Sequence, residues 1–345
     1  MQSSALFGVF ALAFHLAAVP AVPACDPSDP AFVCGLNHTE DLVRLGETPW
    51  VVASQMTVEY DTPPRISGLG PLQAIRIDTR EVRRLYPTSE SAVDWDRKTY
   101  PECPAPPESI SSHGLNVRPL GGKKFRLYAV NHGGRESVEI IDVAIHGEQL
   151  LTTWRGCIRA PEEGPPEGIW PNSVAPLPGN GVVLSGFHVA LWRPGRGWAK
   201  PHQLKVGVSN GVEVSRDGRS IFIADTPGRS VIRIPVSGEG EQAALKLNFL
   251  PDNLRWGEDG YLYVAGPYWP EGFPVEECFK TPICSVGFAV AQVDPNTFTA
   301  KEIFRSDRDG IKREFGAATG ALKVGDHFWI GTSRGDRVAI LALKP

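Results

Sequence analysis

The feature that most constrains the fold is a short apolar strand, ending in small or polar residues, that occurs six times along the chain. Several copies follow a turn that contains Gly or Asp, such as Arg216-Asp217-Gly218-Arg219, and such turns close antiparallel hairpins. Successive copies start about 39 to 77 residues apart, whereas a four-stranded blade needs roughly 40–50 residues. The pattern predicts an all-β protein, a six-bladed β-propeller with a central channel. The copies are Trp50–Ser54, Leu127–Asn131, Val182–Gly186, Ile221–Asp225, Leu262–Gly266 and Phe328–Thr332.

A stack of generic hairpins, as in a sandwich or a solenoid, is the alternative architecture. About 320 residues are too many for one sandwich, however, and the copies lack the regular spacing of a solenoid. The 36 Gly and 31 Pro residues are spread along the chain, which suits many short strands and argues against a helical bundle. No domain boundary is visible, and residues 85–112 are expected to form a surface insertion between the first two blades.

The N-terminal residues 1–24 are predicted to be a signal peptide. An apolar stretch leads into Val22-Pro23-Ala24, a small-residue cleavage pattern just before Cys25. Retention of the segment as an anchor and lipidation of Cys25 are the alternatives. Residues 25–345 then form a single propeller domain of a secreted or extracytoplasmic protein. Because later stretches fall short of the roughly 20 apolar residues that span a bilayer, membrane contact is expected only through the N-terminal segment.

Charge and cysteine content narrow the partners further. A net charge of −4 provides no basic surface for nucleic acid. An even number of cysteines, six, behind an export signal favours disulfides, and Cys278 with Cys284 is the favoured local pair. The cysteine spacings include no CxxC and no accompanying His cluster, so a zinc site is not expected.

Asparagine residues recur ahead of three consecutive repeat strands. Asn172, Asn210 and Asn253 stand about 9 to 11 residues before their strands. Equivalent positions on the innermost strands of a propeller converge on its axis. Together with Glu40 and Asp252 they would form an all-oxygen site, which suits a hard cation such as Ca²⁺. Asn and Asp are also common turn residues, which explains one or two of these positions but explains the repeated offset poorly.

Two histidines flank the second repeat strand. His113 precedes it in Ser112-His113-Gly114, and His132 follows it in Asn131-His132-Gly133. Such a pair can form a dyad in which one imidazole orients the other, and a His tuned near neutrality can deprotonate water. A hydrogen-bonded structural role is the alternative for either residue alone.

These motifs together resemble the paraoxonase family of calcium-dependent lactonases and arylesterases, from about Cys34 to the C-terminus. The resemblance rests on Glu40-Asp41-Leu42, on His113 and His132, and on the Asn172, Asn210 and Asp252-Asn253 turns. It implies that His113 and His132 are the proton-transfer pair. The catalytic calcium ligands that it implies are Glu40, Asn172, Asn210, Asp252 and Asn253.

The resemblance also implies a second, structural calcium. Its ligands would be Asp41, Ser173 and the backbone carbonyl of Leu115. Ser173 stands where the family has Asp, which removes a charge from a site that depends on carboxylates, so one calcium ion is expected and the second is in doubt. The family closes its ring with a disulfide to a cysteine near the C-terminus. Since the last residues, Leu343-Lys344-Pro345, include no cysteine, Cys34 is expected to pair with Cys25 instead.

The implied activity is hydrolysis of a small-molecule lactone or aryl ester. Regucalcin-like gluconolactonases, which share the fold and use one divalent ion, are a close alternative. The competing class is a non-enzymatic binding propeller, in which an axial ion only stiffens the blades. The oligomeric state is not predicted.

Overall fold

The structure is a computed structural model that describes residues 24–56, 58–59, 65–66, 69–161, 171–201, 204–269, 283–309 and 315–342. Residues 1–23 of the predicted signal peptide lie outside the described residues. In the described ranges no helix is long and apolar enough to cross a bilayer.

Strands make up nearly all of the regular structure. Besides them there is a 3₁₀ turn at Pro178–Asn180 and one short helix, α1 (Ser306–Asp309), among the described residues. The strands are β1 (Phe32–Val33), β2 (Leu42–Arg44), β3 (Trp50–Ala53), β4 (Val58–Glu59), β5 (Arg65–Ile66), β6 (Leu72–Arg76), β7 (Val82–Tyr86), β8 (Ala92–Val93), β9 (Ser112–Gly121), β10 (Lys124–Asn131), β11 (Ser137–His146), β12 (Gln149–Arg159), β13 (Val174–Leu177), β14 (Gly181–Leu184), β15 (Ala190–Arg193), β16 (Gly197–Ala199), β17 (Ser209–Val214), β18 (Ser220–Asp225), β19 (Ser230–Pro235), β20 (Ala243–Lys246), β21 (Leu254–Trp256), β22 (Leu262–Pro267), β23 (Phe288–Asp294), β24 (Thr299–Arg305), β25 (Ala318–Val324), β26 (His327–Thr332) and β27 (Val338–Ala342).

Six sheets of four or five strands form the blades. In chain order they are β2-β3-β6-β7, β9-β10-β11-β12-β8, β13 to β16, β17 to β20, β21 to β24, and β25-β26-β27-β1, which we call blades 1 to 6. The innermost strands β2, β9, β13, β17, β21 and β25 each contact the next, and β25 contacts β2 again. This closed ring confirms the predicted six-bladed β-propeller.

The repeated apolar strands occupy the second position of every blade, as β3, β10, β14, β18, β22 and β26. Each has both faces covered by the neighbouring blades, so it appears in the sequence as a continuous apolar run rather than an alternating one. Between blades 2 and 3, for example, Tyr128 and Val130 of β10 lie in one apolar cluster with Val182 and Leu184 of β14. Packing between blade faces therefore accounts for the repeat.

The first strand of the described residues closes the ring. β1 pairs antiparallel with β27, placing Phe32 opposite Ala339 and Val33 opposite Val338. The Cys25–Cys34 disulfide, which the sequence predicted, brackets this strand. Val33 is buried in a cluster that includes Leu42 and Trp329. The last blade therefore takes its outermost strand from the opposite end of the sequence.

Residues 85–112 lie between blades 1 and 2, as expected, but part of the segment is built into blade 2. β8 adds to blade 2 parallel to β12, and Tyr100 and Cys103 are buried. Cys103 is also disulfide-bonded to Cys157 of β12. The Pro- and Ser-rich composition concealed a segment that covers the outer edge of blade 2. Cys284 is disulfide-bonded as well, but its expected partner, Cys278, lies outside the described residues.

The β1–β27 pairing predicts that a charge at Val33, which is 1% exposed, destabilises the fold. Val33→Asp places a carboxylate in the apolar cluster and should lower the free energy of unfolding by about 3 kcal/mol or more, measured by urea denaturation. The matched control is Val93→Asp in β8, where the side chain is 57% exposed and the change should be within about 0.5 kcal/mol. Equal effects at both positions would show that β1 does not hold the ring closed.

Candidate metal centre

The predicted ligands lie where the innermost strands begin. Glu40 immediately precedes Asp41 and β2, Asn172 lies just before β13, and Asn210 is the second residue of β17. Asp252 and Asn253 immediately precede β21. The repeated offset in the sequence thus corresponds to one repeated structural position.

Backbone hydrogen bonds between blades hold these positions in register. The Gly114 amide donates to the Asn172 carbonyl at 3.0 Å, and the Gly211 amide donates to the Asp252 carbonyl at 2.9 Å. A Cβ at Gly114 would lie 2.3 Å from the Asn172 oxygen, and one at Gly211 would lie 2.5 Å from the Asp252 oxygen. Only glycine permits this approach, so the two glycines bring neighbouring ligand turns together.

The predicted ligands share one property that sequence cannot reveal. Each has a buried side-chain oxygen without a hydrogen-bond partner: Glu40 Oε2, Asn172 Oδ1, Asn210 Oδ1, Asp252 Oδ1 and Asn253 Oδ1. A buried polar atom left without a partner costs about 1–3 kcal/mol, and such atoms are rare in folded proteins. Five of them lie at the starts of four innermost strands, β2, β13, β17 and β21, where a cation or ordered water would satisfy them.

Direct contacts join four of these side chains. Asn253 Nδ2 donates to Glu40 Oε1 at 2.6 Å, and the Asp252 carboxyl interacts with the side chains of Glu40 and Asn210. Asn172 is held by its backbone, which donates to the Ser185 carbonyl at 2.8 Å. Glu40 and Asn253 are fully buried, while Asn172, Asn210 and Asp252 are partly exposed. The set is therefore closed on one side and accessible on the other.

Electrostatics at the cluster favour a cation. Burial raises the pKa of Glu40 well above its usual range, and the nearby Asp41 and Asp252 carboxylates raise it further. Burial, and then Asp41, raise the pKa of Asp252 as well. A divalent ion would relieve both effects, and carboxylate and amide oxygens are the donors that Ca²⁺ takes in proteins. Within the described ranges, no group of three or more His, Cys, Asp or Glu side chains is placed to hold a metal; this set depends instead on three amides.

The predicted histidine pair is in direct contact. His113 Nδ1 lies 2.9 Å from His132 Nε2, and His113 Nε2 lies 3.8 Å from Glu40 Oε1, so the dyad borders the oxygen cluster. Burial lowers the pKa of His113 well below its usual range, His132 lowers it further, and the Pro171 carbonyl opposes the shift. The lowered pKa favours the neutral form of His113, which is the form that accepts a proton.

A carboxylate that was not predicted extends the histidine pair into a chain of three side chains, which we call the histidine chain. His132 Nδ1 lies 2.7 Å from Glu136 Oε2, across a turn through Gly133 and Gly134. The buried Asn131 side chain stabilises that turn, because its Nδ2 donates to the Gly133 carbonyl at 2.8 Å. The available signal was a Glu four residues after His132 across a Gly-Gly turn, a spacing that is common among solvated surface pairs.

Two of the three residues expected to bind a second calcium, Asp41 and Leu115, contact an arginine. Arg255 Nη2 donates to Asp41 and, at 2.5 Å, to the Leu115 carbonyl. Ser173 is buried, and its hydroxyl accepts from the Val212 amide at 3.4 Å. Sequence reasoning missed Arg255, although a charged residue between Leu254 and Trp256, on an inner strand, was a signal.

The same guanidinium also contacts Glu213 of β17. Arg255 Nη1 lies 3.0 Å from Glu213 Oε1, and Asn116 donates to the same oxygen at 3.2 Å. Burial raises the pKa of Glu213 to about 7, against the opposing effects of Arg255 and Asn116. Burial also raises the pKa of Asp41, with Arg255 again opposing the shift.

Comparison with known proteins supports the fold alone. No family model matches the chain, and none of the curated proteins does. Among solved structures, a protein of unknown function from Bacteroides thetaiotaomicron superposes with a TM-score of 0.53 at 13% identity, covering 94% of this chain and 72% of the other. At this identity the likeness shows a shared propeller architecture and says nothing of activity.

Two further structures are more distant. Virginiamycin B lyase from Staphylococcus aureus has a TM-score of 0.47 at 11% identity, covering 91% of this chain and 98% of the other. A protein assigned as a 6-phosphogluconolactonase from Bacteroides uniformis has a TM-score of 0.46 at 14% identity, covering 88% and 81%. Neither likeness is close enough to carry an argument about function.

Proposed function

We propose that the protein is a calcium-dependent hydrolase of lactones or aryl esters, of the kind found in the paraoxonase family that its motifs resemble. The observation that carries the proposal is the group of five buried side-chain oxygens without partners, beside a hydrogen-bonded histidine pair. The oxygens provide a place for a hard cation, and the histidines provide a base next to it.

The histidine chain has one arrangement of hydrogens that suits a base. If the Glu136 carboxylate accepts from His132 Nδ1, then His132 Nε2 accepts from His113 Nδ1. The lone pair of His113 Nε2 then faces the oxygen cluster, at 3.8 Å from Glu40 Oε1. Glu136 thereby fixes the tautomer of both rings and stabilises the positive charge that develops when His113 takes a proton.

In the proposed hydrolysis, His113 first takes up a proton and later returns it. A bound calcium ion would polarise the substrate carbonyl and stabilise negative charge on its oxygen. His113 Nε2 takes a proton from a water molecule as the water oxygen bonds to the carbonyl carbon. The bond between that carbon and the ester oxygen breaks, and His113 returns the proton to the departing oxygen. The products are a carboxylic acid and an alcohol or phenol, joined in one molecule when the substrate is a lactone.

A metal-stabilised binding propeller is the principal competing function. The oxygen cluster suits either function. A stable propeller, however, does not require a buried histidine pair that is hydrogen-bonded to a carboxylate. The dyad therefore favours the enzyme over the binding protein. A regucalcin-like sugar lactonase would share the chemistry and differ in its substrate.

Export of the protein is a further part of the proposal. The disulfides Cys25–Cys34 and Cys103–Cys157 support it, because disulfides persist in oxidising compartments. N-terminal sequencing of protein recovered from the medium should begin at Cys25, and a protein retained in the reducing cytosol would contradict export.

A lactone and aryl ester panel, assayed with calcium and with EDTA, tests the activity. Hydrolysis of at least one substrate class should require calcium, disappear in EDTA and return when calcium is restored. A protein whose melting temperature rises with calcium but which turns over no member of the panel would be the binding propeller instead.

Asn253→Ala should weaken the metal centre itself. It removes one of the oxygens without a partner and the hydrogen bond to Glu40, so calcium affinity should fall at least about tenfold, measured by isothermal titration. Asn296→Ala, in an exposed turn of blade 5, is the matched control and should leave affinity unchanged. Unaltered binding in Asn253→Ala would remove this residue from the site.

Variants of the histidine chain should separate proton transfer from metal binding. His113→Ala should lower kcat by roughly 10²- to 10⁴-fold while calcium affinity stays within a few-fold, and His146→Ala, at an exposed position, should do neither. Loss of calcium binding in folded His113→Ala would make His113 a structural or ligating residue.

Glu136→Gln tests the histidine chain through the pH dependence of kcat/KM. Removing the carboxylate charge withdraws stabilisation from the positive charge that His113 acquires with a proton, so the acidic limb of the kcat/KM profile should move to lower pH. The value of kcat should fall by about tenfold or more, as expected when the partner that orients a functional His is removed. Glu90→Gln, at an exposed turn, should leave the profile in place. An unshifted profile would show that Glu136 takes no part.

A further inference from the structure

We infer that the guanidinium of Arg255 replaces the second, structural calcium implied by the family resemblance, so that no calcium ion binds beside Asp41. The inference concerns how the ring is held together and does not depend on which substrate is hydrolysed.

Arg255 is placed as a structural cation would be. It is 4% exposed and donates to acceptors from several parts of the ring. Its Nε donates to the Leu42 carbonyl at 3.0 Å, and its Nη1 donates to Glu213 Oε1 at 3.0 Å and to the Leu254 carbonyl at 2.8 Å. Its Nη2 donates to Asp41 and to the Leu115 carbonyl. One side chain therefore links blades 1, 2, 4 and 5.

The expected ligands of a second calcium are already engaged. Asp41 Oδ1 accepts from the Leu42 amide at 2.8 Å, and Asp41 Oδ2 accepts from the Leu115 amide at 2.7 Å as well as from Arg255. The Leu115 carbonyl also bonds to Arg255. Calcium takes about six to eight oxygen ligands, and these oxygens face N–H donors instead. Unlike the oxygens of the candidate metal centre, neither oxygen of Asp41 lacks a partner.

Charge balance leads to the same conclusion. Arg255 contributes one positive charge between the Asp41 and Glu213 carboxylates, and Ser173 adds none where the family has a carboxylate. Glu40 and Asp252 then remain as the carboxylates for a single divalent ion. A second divalent ion beside Asp41 would lie within reach of the guanidinium and be repelled by it.

With an arginine in place of the second calcium, a chelator cannot remove the cation beside Asp41. A guanidinium is covalently part of the chain and stays charged at all relevant pH values, so the contacts among the four blades that it joins persist without metal. Arg255 also lies two residues after Asn253, so its bonds anchor the strand that begins at two of the predicted ligands. Calcium removal should therefore empty the candidate metal centre and leave the ring folded.

Counting bound calcium tests the inference directly on the unaltered protein. Chelator-treated protein titrated with calcium in the calorimeter should bind one ion per chain, and equilibrium dialysis should give the same count. Two ions per chain would overturn the inference. The metal-free protein should also keep a cooperative thermal transition, and complete unfolding on chelation would overturn it as well.

Exchanging the arginine provides the complementary test. The double variant Arg255→Leu/Ser173→Asp removes the guanidinium and supplies the carboxylate that the resemblance implies at position 173. It should bind one calcium more than the unaltered protein, with a melting temperature that now rises steeply with calcium. Arg255→Lys, which retains a cation, should gain no ion, and Arg233→Leu, on an outer strand of blade 4, is the control for loss of an arginine. A folded double variant with an unchanged ion count would count against the inference.

The two proposals fail in different ways. An unaltered protein that binds no calcium, with a double variant that binds one, would end the proposed calcium-dependent hydrolase and leave the role of Arg255 intact. If the double variant does not fold, the ion count of the unaltered protein still decides, because only a count of two is incompatible with Arg255 in the second site.

Discussion

The close approach of neighbouring innermost strands is the constraint on which the rest of this structure depends. Where Gly114 meets Asn172, and where Gly211 meets Asp252, the backbones of adjacent blades bond directly. Those bonds hold β9 level with the start of β13, and β17 level with the start of β21. Because every candidate ligand lies at or just before such a start, convergence of the oxygens follows from backbone geometry. The side chains add chemistry to an arrangement that the main chain has already made.

That arrangement leaves a group of buried polar atoms without hydrogen-bond partners in the folded protein. Oxygens without partners and carboxylates with raised pKa values, as at Glu40 and Asp252, oppose folding in the absence of a cation. The buried Asp41 differs, because both of its carboxylate oxygens accept hydrogen bonds and the guanidinium of Arg255 lies beside it. The same propeller thus contains one charged site completed by its own side chains and another with oxygens left over for a ligand.

The blades could be predicted from sequence because strands covered on both faces are apolar throughout, and six such runs are visible without any structure. The recurring Asn positions were predictable for a related reason, since the start of each inner strand lies at a nearly constant distance before its apolar run. The Cys25–Cys34 disulfide was also predicted, and the structure confirms it. The metal and its ligand set remain predictions, with the placement of the side chains as their support.

What the sequence did not reveal depends on contacts between distant segments. Arg255 meets Asp41 across 214 positions of the chain, and a single arginine in a short strand resembles any solvated residue until its partners are known. Glu136 resembles a surface residue for the same reason. The part of residues 85–112 that is built into blade 2 was not predicted, because their Pro-rich composition suggests a loop, whereas burial of Tyr100 and the bond from Cys103 to Cys157 are visible only in three dimensions.

The pairing of Val33 with Val338 has a consequence for how the chain is made. β1 is synthesised long before its partner β27, so blade 6 cannot be completed until β27 has emerged. During that time β1 carries an unpaired apolar edge, which is the kind of surface that aggregates or is held by a chaperone. Contacts that span so much sequence also form slowly. Closing the ring is therefore expected to be the last step of folding, and its timing would be governed by synthesis as much as by stability.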